Sequence, residues 1–329
     1  MHQLKTYLSR LMIKTFYGEE ISKESNEYLY FFDFVNKFCS AKKRTILYRG
    51  SNPEQIFQTK LFDIEGFSRI LMTLGEKSHH FESNKYPLIC IDDCSIEVFE
   101  FVFDRFHDKV CNLSFSNPNS LEKVKLFLEA NPSINNYFSD GNNKARFIST
   151  ISELSDSKKR NVLDYYFSLL HTIGKSADGN SYFISTSKNI EIAKQFKNDG
   201  VIVITWVPSS ERNRQIICNN DINKLDSFIK TTGLPYYEVS PYSDQEEVCV
   251  KGGILPHYIM GYVYQDSFIV NPNLLTQIST SYDFESLLKD GIYTDQINFD
   301  NELHKTKYKR GFLCIDGYYL EYQKQQFVL

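Results

Sequence analysis

The chain has 329 residues, 42% of them hydrophobic and 24% charged, with a formal net charge of -4. That is an ordinary globular balance, with enough chain for one large or two modest domains, and it excludes a uniformly basic nucleic-acid coat, though not a local basic patch. Aromatic residues reach 15%, with 26 Phe and 22 Tyr, so ring packing is expected to supply much of the core.

Residues 1–40 read as helical, with Tyr28, Leu29, Phe31, Phe32, Val35 and Phe38 at helical spacing. The basic stretch Lys42-Lys43-Arg44 leads into a strand over Thr45–Arg49, and Asn52-Pro53 breaks the pattern after it. Residues 54–154 mix predicted helices (Ile96–Phe106, Leu121–Leu128) with a short strand (Pro87–Ile91) and an Asn/Ser/Pro-rich loop at 112–120. From Ser155 the pattern is regular again. An amphipathic helix carries Val162, Leu163, Tyr166, Phe167, Leu169, Leu170 and Ile173 on its apolar stripe. A strand over Tyr182–Thr186 comes next, then a short helix over Asn189–Phe196. Val201–Val207 then reads as a central strand buried on both faces. A helix near Asp221–Lys230, a Tyr/Pro-rich loop over Gly233–Asp244, and strands at Glu247–Val250 and Ile259–Tyr264 complete the regular part. The last sixty or so residues alternate loosely and are expected to finish the sheet or pack against it.

The cysteines, at positions 39, 90, 94, 111, 218, 249 and 314, form no CxxC pair. Neither a zinc site nor a disulfide framework is expected, and the thiols read as small buried side chains in a reducing compartment. His79-His80 lacks further ligands at metal-site spacing. Met1-His2-Gln3-Leu4-Lys5 has no apolar signal core and no run is long enough to span a bilayer, so the expectation is a cytoplasmic protein with no membrane partner and no metal.

Three β-prone runs each carry a polar group at or near one end: Ile46-Leu47-Tyr48-Arg49-Gly50, Tyr182-Phe183-Ile184-Ser185-Thr186-Ser187 and Gln245-Glu246-Glu247-Val248. Arginine's planar fork grips a diphosphate at two points, and Gly50 after it would let a ligand approach the backbone closely. Taken alone, Arg49 reads more readily as a strand-end residue in a surface salt bridge, and the glutamates equally well as a solvated acidic turn. The Ser-Thr-Ser element is weak alone, because Ser279-Thr280-Ser281 copies it and Phe147-Ile148-Ser149-Thr150 copies it in part. Only the copy at Ser185 lies between the arginine and the glutamates, with an aromatic-led strand before it and a helix and long apolar strand after.

In order and chemistry these runs resemble the arginine–serine–glutamate class of NAD-dependent mono-ADP-ribosyltransferases, over Ile46–Gly50 and about Ser155–Tyr264. The resemblance implies an α+β fold, an ADP-ribosyltransferase-like split β-sandwich with flanking helices. Residues 1–53 would supply the N-terminal helices and arginine strand, 54–154 an inserted, partly helical subdomain, and 155–329 the rest of the core with a C-terminal extension. It implies NAD as substrate. Arg49 would meet the diphosphate, the Gly50 backbone the nicotinamide amide, and Glu247 a hydroxyl of the nicotinamide ribose. Ser185 would orient Glu247 and Thr186 brace the site.

Gln245 makes this the Gln-x-Glu subtype, in which the resemblance implies an amide or nucleobase acceptor rather than arginine. A neutral amide, which both donates and accepts, suits such an edge. Tyr242 and Tyr237 in the preceding loop are placed to recognise the acceptor, and Tyr236 joins them as a ring able to stack a base. Basic clusters at Lys42–Arg44, Lys158–Arg160, Arg212 with Arg214, and Lys305–Arg310 could track phosphates, although each reads more readily as a solvated face. The whole looks similar to intracellular bacterial toxins of phage-defence toxin–antitoxin systems. That likeness favours a nucleobase in RNA as acceptor, with a protein amide second and an antitoxin or chaperone as partner. Two alternatives stay open: an NAD glycohydrolase with water as acceptor, and a non-catalytic recognition protein with a vestigial site. His171, near the end of its amphipathic helix, reads as a partly buried packing residue.

Overall fold

The computed structural model describes residues 2–41, 44–52, 64–74, 94–112, 118–174, 183–197, 200–208, 216–239, 247–251, 254 and 258–275. In chain order the described elements are α1 (His2–Leu8), β1 (Met12–Lys14), α2 (Asn26–Ser40), β2 (Arg44–Ser51), α3 (Ile64–Leu74), α4 (Ile96–Cys111), α5 (Pro118–Ala130), α6 (Pro132–Ser139), α7 (Asn143–Ser152), α8 (Asp156–Gly174), β3 (Phe183–Ser187), α9 (Ile190–Phe196), β4 (Val201–Pro208), β5 (Ile216–Cys218), α10 (Asn219–Thr232), β6 (Glu247–Lys251), β7 (Ile259–Tyr264) and β8 (Ser267–Val270). The protein is α+β, with a mixed sheet.

These elements form two units. The first comprises residues 1–86, 185–215 and 253–329, and the second 87–184 and 216–252. In the first unit the strands run β1-β8-β7-β4-β2-β3, with β1 parallel to β8 and the other neighbours antiparallel. The strand β4 is Val-Ile-Val-Ile-Thr-Trp-Val-Pro, a nearly unbroken β-prone run, and Val201–Trp206 are all buried. Along one edge it pairs with β2 from Arg44↔Pro208 to Ser51↔Val201, which fixes the register of the arginine strand. Along the other it pairs with β7, with a bulge between Ile204 and Thr205. The helix α2 starts where the Ser25 hydroxyl accepts the Tyr28 N–H at 3.2 Å, and it buries Phe31, Phe34, Val35 and Phe38. Phe38 meets Trp206 edge-on at 5.2 Å and Phe31 stacks on Phe268 at 5.5 Å, so the helix is held by rings on the sheet.

The second unit is mainly helical, with β5 and β6 paired antiparallel. Its core is a nest of rings. Phe106 stacks on Phe138 at 4.5 Å, and Phe106, Phe138 and Phe147 all meet Tyr166 edge-on at 5.4–5.8 Å. The Tyr166 hydroxyl donates to the Pro235 carbonyl at 2.7 Å, so the buried phenol keeps a partner.

This division departs from the boundaries expected from sequence. The helix α4 lies in the supposed insertion and α8 in the supposed core, yet their rings share one interior, so the break falls before α4 rather than at Ser155. The partial copy Phe147-Ile148-Ser149-Thr150 lies within α7, not on a strand. Residues 1–40, expected to be helical, also contain the three-residue strand β1. The strand expected at Pro87–Ile91 lies outside the described residues. Among the described residues no helix is long and apolar enough to cross a membrane.

Candidate functional site

In the first unit, Arg49 and the Ser-Thr-Ser run sit on adjacent strands, with Tyr48 in register with Ser187. The Arg49 Nη1 donates to the Ser185 carbonyl at 2.9 Å, so the guanidinium is tied to the strand that carries the serine. Arg49 and Ser185 are half-buried, while Thr186 and Ser187 are buried. The Ser187 hydroxyl accepts the Asn189 N–H at 3.0 Å, and the Asn189 side chain accepts the Glu191 N–H at 3.0 Å. The end of β3 therefore turns into a capped helix, as Asn189 at a helix start leads one to expect.

Gly50 has a structural cause beyond any ligand. A Cβ there would lie 2.1 Å from the Ala193 carbonyl oxygen and 2.7 Å from the Lys197 nitrogen. The close approach that the sequence offered to a ligand is taken on that side by the backbone of α9.

In the second unit, Glu247 is the first residue of β6 and is buried. Its Oε1 lies 3.5 Å from the His171 Nε2 in the last turn of α8, with side chains 9% and 3% exposed. The His171 ring stands edge-on to Phe183 at 5.9 Å. Cys249, two residues along the strand and so on the same side as Glu247, completes a group whose ligand-capable atoms all lie within 4.8 Å of one another. Imidazole, carboxylate and thiolate are all zinc donor types, so by chemistry this group could hold a metal ion. By sequence alone His171 reads as packing and Cys249 as a buried thiol. The available signal was the i, i+2 alternation of Glu247 and Cys249 and the place of His171 on the apolar side of its helix.

Gln245 and Tyr242 lie outside the described residues. Tyr237 is buried rather than displayed on the loop. Its ring stacks on Tyr165 at 5.7 Å, and its N–H donates to the Tyr165 hydroxyl at 2.8 Å. Among the described residues of this loop the half-exposed ring is Tyr236, with the Lys230 ammonium 4.5 Å from its centroid. The Tyr165 hydroxyl in turn donates to Asp226 at 2.9 Å, and Asp226 pairs with Lys230 at 2.7 Å. Burial holds the Tyr165 and Tyr166 phenols well above the ordinary tyrosine range and pushes Tyr237 up to about 12. The loop is clamped a second time by Asn131. Its Oδ1 accepts the Glu238 and Val239 N–H groups, and its Nδ2 donates to the Val239 carbonyl.

Arg49 and Ser185 are thus brought together in the first unit, and Glu247 belongs to the second. No protein family matches the chain, nor does any curated protein or solved structure.

Proposed function

We propose that this protein is an NAD-dependent mono-ADP-ribosyltransferase of the arginine–serine–glutamate class, Gln-x-Glu subtype, with the split β-sandwich that such transferases have. The observation that carries the reading is the Arg49 bond to the Ser185 carbonyl at 2.9 Å, which links the arginine strand to its antiparallel neighbour, the Ser-Thr-Ser strand. The buried glutamate opening its own strand, Glu247, is the second support. Arg49 is assigned the diphosphate, the backbone at Gly50 the nicotinamide amide, Glu247 a ribose hydroxyl, Ser185 the orientation of Glu247, and Thr186 the bracing of the site.

As the nicotinamide bond stretches, the ribose gains oxocarbenium character, and a carboxylate beside it gains an attraction absent from the ground state. At about 4 Å and an effective dielectric near 20, one such pair is worth about 4 kcal/mol before desolvation. That corresponds to about three decades in rate. The proposed acceptor is a neutral donor–acceptor edge, a nucleobase in RNA before a protein amide, because position 245 is glutamine. The proposed setting is the cytoplasm, as a defence toxin held by an antitoxin or chaperone.

The test is cell lysate incubated with labelled NAD, then treated separately with RNase and protease. RNase-releasable label is expected with the unaltered chain. Glu247→Gln should bind NAD and lose about three decades of transfer. Protease-releasable label would move the acceptor to protein, and free ADP-ribose alone would make the enzyme a glycohydrolase. Undiminished transfer by Glu247→Gln, or no binding of NAD at millimolar concentration, overturns the proposal.

A further inference from the structure

We propose that His171 is a positioning residue for the Glu247 carboxylate in addition to Ser185, an assignment that rests on Glu247 being the catalytic acid of the reading above. Glu247 is buried, and a buried carboxylate must be met by donors. The His171 Nε2 is 3.5 Å from Oε1. That is an ion-pair distance, longer than a tight N–H···O bond, and catalytic contacts of this kind shorten when substrate is bound.

The imidazole is well placed to hold something else still. It projects from the last turn of the nineteen-residue α8, is 3% exposed, and is fixed edge-on against Phe183 at 5.9 Å and 90°. A donor whose own rotamer is locked by packing can fix its partner's orientation, where a mobile surface donor cannot. His171, Phe183 and Glu247 also belong to one unit, so the hold on the carboxylate is built into the body that carries it. With the proton on Nε2, the ring donates to Oε1 and sets the direction in which the carboxylate faces a ribose hydroxyl. Without it, the carboxylate loses that hold, and a misplacement of about 1 Å at a reacting group can lower kcat about 100-fold.

The test uses the full chain and two substitutions that split the ring from the donor. His171→Phe keeps an edge-on ring and removes the N–H, and His171→Gln keeps an N–H donor and removes the ring. Nicotinamide release from NAD gives kcat and KM, with the thermal midpoint and Glu247→Gln measured alongside. The expected result is a fall in kcat of about 10- to 100-fold for the Phe variant, with KM for NAD little changed and the midpoint near that of the unaltered chain. The Gln variant should recover most of the rate. If the Phe variant does not fold, His171→Ala, which lacks both ring and donor, is compared with the Gln variant: a slow Ala variant beside a near-normal Gln variant supports the assignment, and an Ala variant with undiminished kcat, or a folded Gln variant as slow as Glu247→Gln, overturns it. A Phe variant with undiminished kcat also overturns it, as does loss of rate in both variants when both are folded. An active chain silenced by Glu247→Gln but indifferent to His171→Phe refutes only the positioning role. A chain that neither binds nor cleaves NAD refutes the transferase reading and this assignment together.

Discussion

Replacing Asn131 by alanine removes one side chain and releases two segments far apart in sequence. Asn131 is fully buried between α5 and α6. Its Nδ2 donates to the Phe127 carbonyl at 2.7 Å and to the Val239 carbonyl at 3.1 Å. Its Oδ1 accepts the N–H groups of Val239, at 2.9 Å, and of Glu238. Each such bond is worth about 1 kcal/mol net, and a buried group left without its partner costs about 1–3 kcal/mol. Glu238 and Val239 are exposed, so some of their freed backbone groups regain water, which pulls the total down. The expected loss is about 2–4 kcal/mol, a large share of the 5–15 kcal/mol typical of a folded protein. Urea unfolding with an unchanged m-value would measure it. Amide hydrogen exchange at Glu238 and Val239 should accelerate beyond the rate set by global stability, because the clamp acts locally. The chain runs from Val239 through 240–246, which carry Tyr242 and Gln245, into Glu247, so any ADP-ribosyl transfer should fall as well. A stability loss under about 1 kcal/mol, with exchange at both amides unchanged, would refute the clamp.

Two further predictions concern the core and the arginine strand. Burial keeps Tyr165 and Tyr166 protonated in the folded state above the pH at which they ionise when unfolded, and holds Tyr237 to about 12. A phenol raised in this way contributes stability that is complete below the unfolded value near 10 and is lost as pH climbs towards the folded one. Each such phenol should remove about 1.4 kcal/mol per pH unit above about pH 10. The urea midpoint should therefore drop steeply from about pH 10 to 12 while tyrosinate absorbance lags in the folded protein, and a flat midpoint would contradict the burial. Gly50→Ala should destabilise by about 1–3 kcal/mol or more with no NAD present, because the added carbon meets backbone atoms of α9 and its C-terminal flank that no side-chain rotation can move. Unaltered thermal and urea midpoints in that variant would show that α9 gives way to the added carbon and would refute this reading of Gly50.

How much could be read beforehand depends on how local the determining physics is. The run Val201–Val207 needs nothing beyond its own β-branched content to declare a buried strand, and the structure has β4 at Val201–Pro208. The stripe from Val162 to Ile173 declares α8, and Asn189 declares the start of α9. The strands β1 and β5 have three residues each, too few to show a period, and exist because β8 and β6 offer them hydrogen bonds. The helices α6 and α7 draw on Asn- and Ser-rich segments of poor helix propensity, and the burial of Ile134, Phe138, Phe147 and Ile151 decides them. The neighbourhood of Glu247 was half visible. Strand alternation would put Cys249 on its side and His171 reads as partly buried, but no local rule says that this face of α8 meets β6.

The two sides of the proposed chemistry are held by different forces. Arg49 is fixed by main-chain pairing, since every residue of β2 is in register with β4 and the guanidinium is tied to the Ser185 carbonyl. Glu247 is fixed by side-chain packing. Cys249 on the same strand belongs to one apolar cluster with Phe103, Phe106, Phe138, Phe147, Tyr166 and Phe183, and His171 reaches the carboxylate from the helix that carries Tyr166. A catalytic carboxylate needs its geometry kept to about 0.5 Å, which a strand start does not supply by itself. The ring-packed helices share their interior with Cys249 of β6, and several of them come from residues 54–154. On the proposed reading the helical segment from α4 to α7 would support the acid. Loosening its rings should blur the carboxylate while leaving the bond between Arg49 and Ser185 intact.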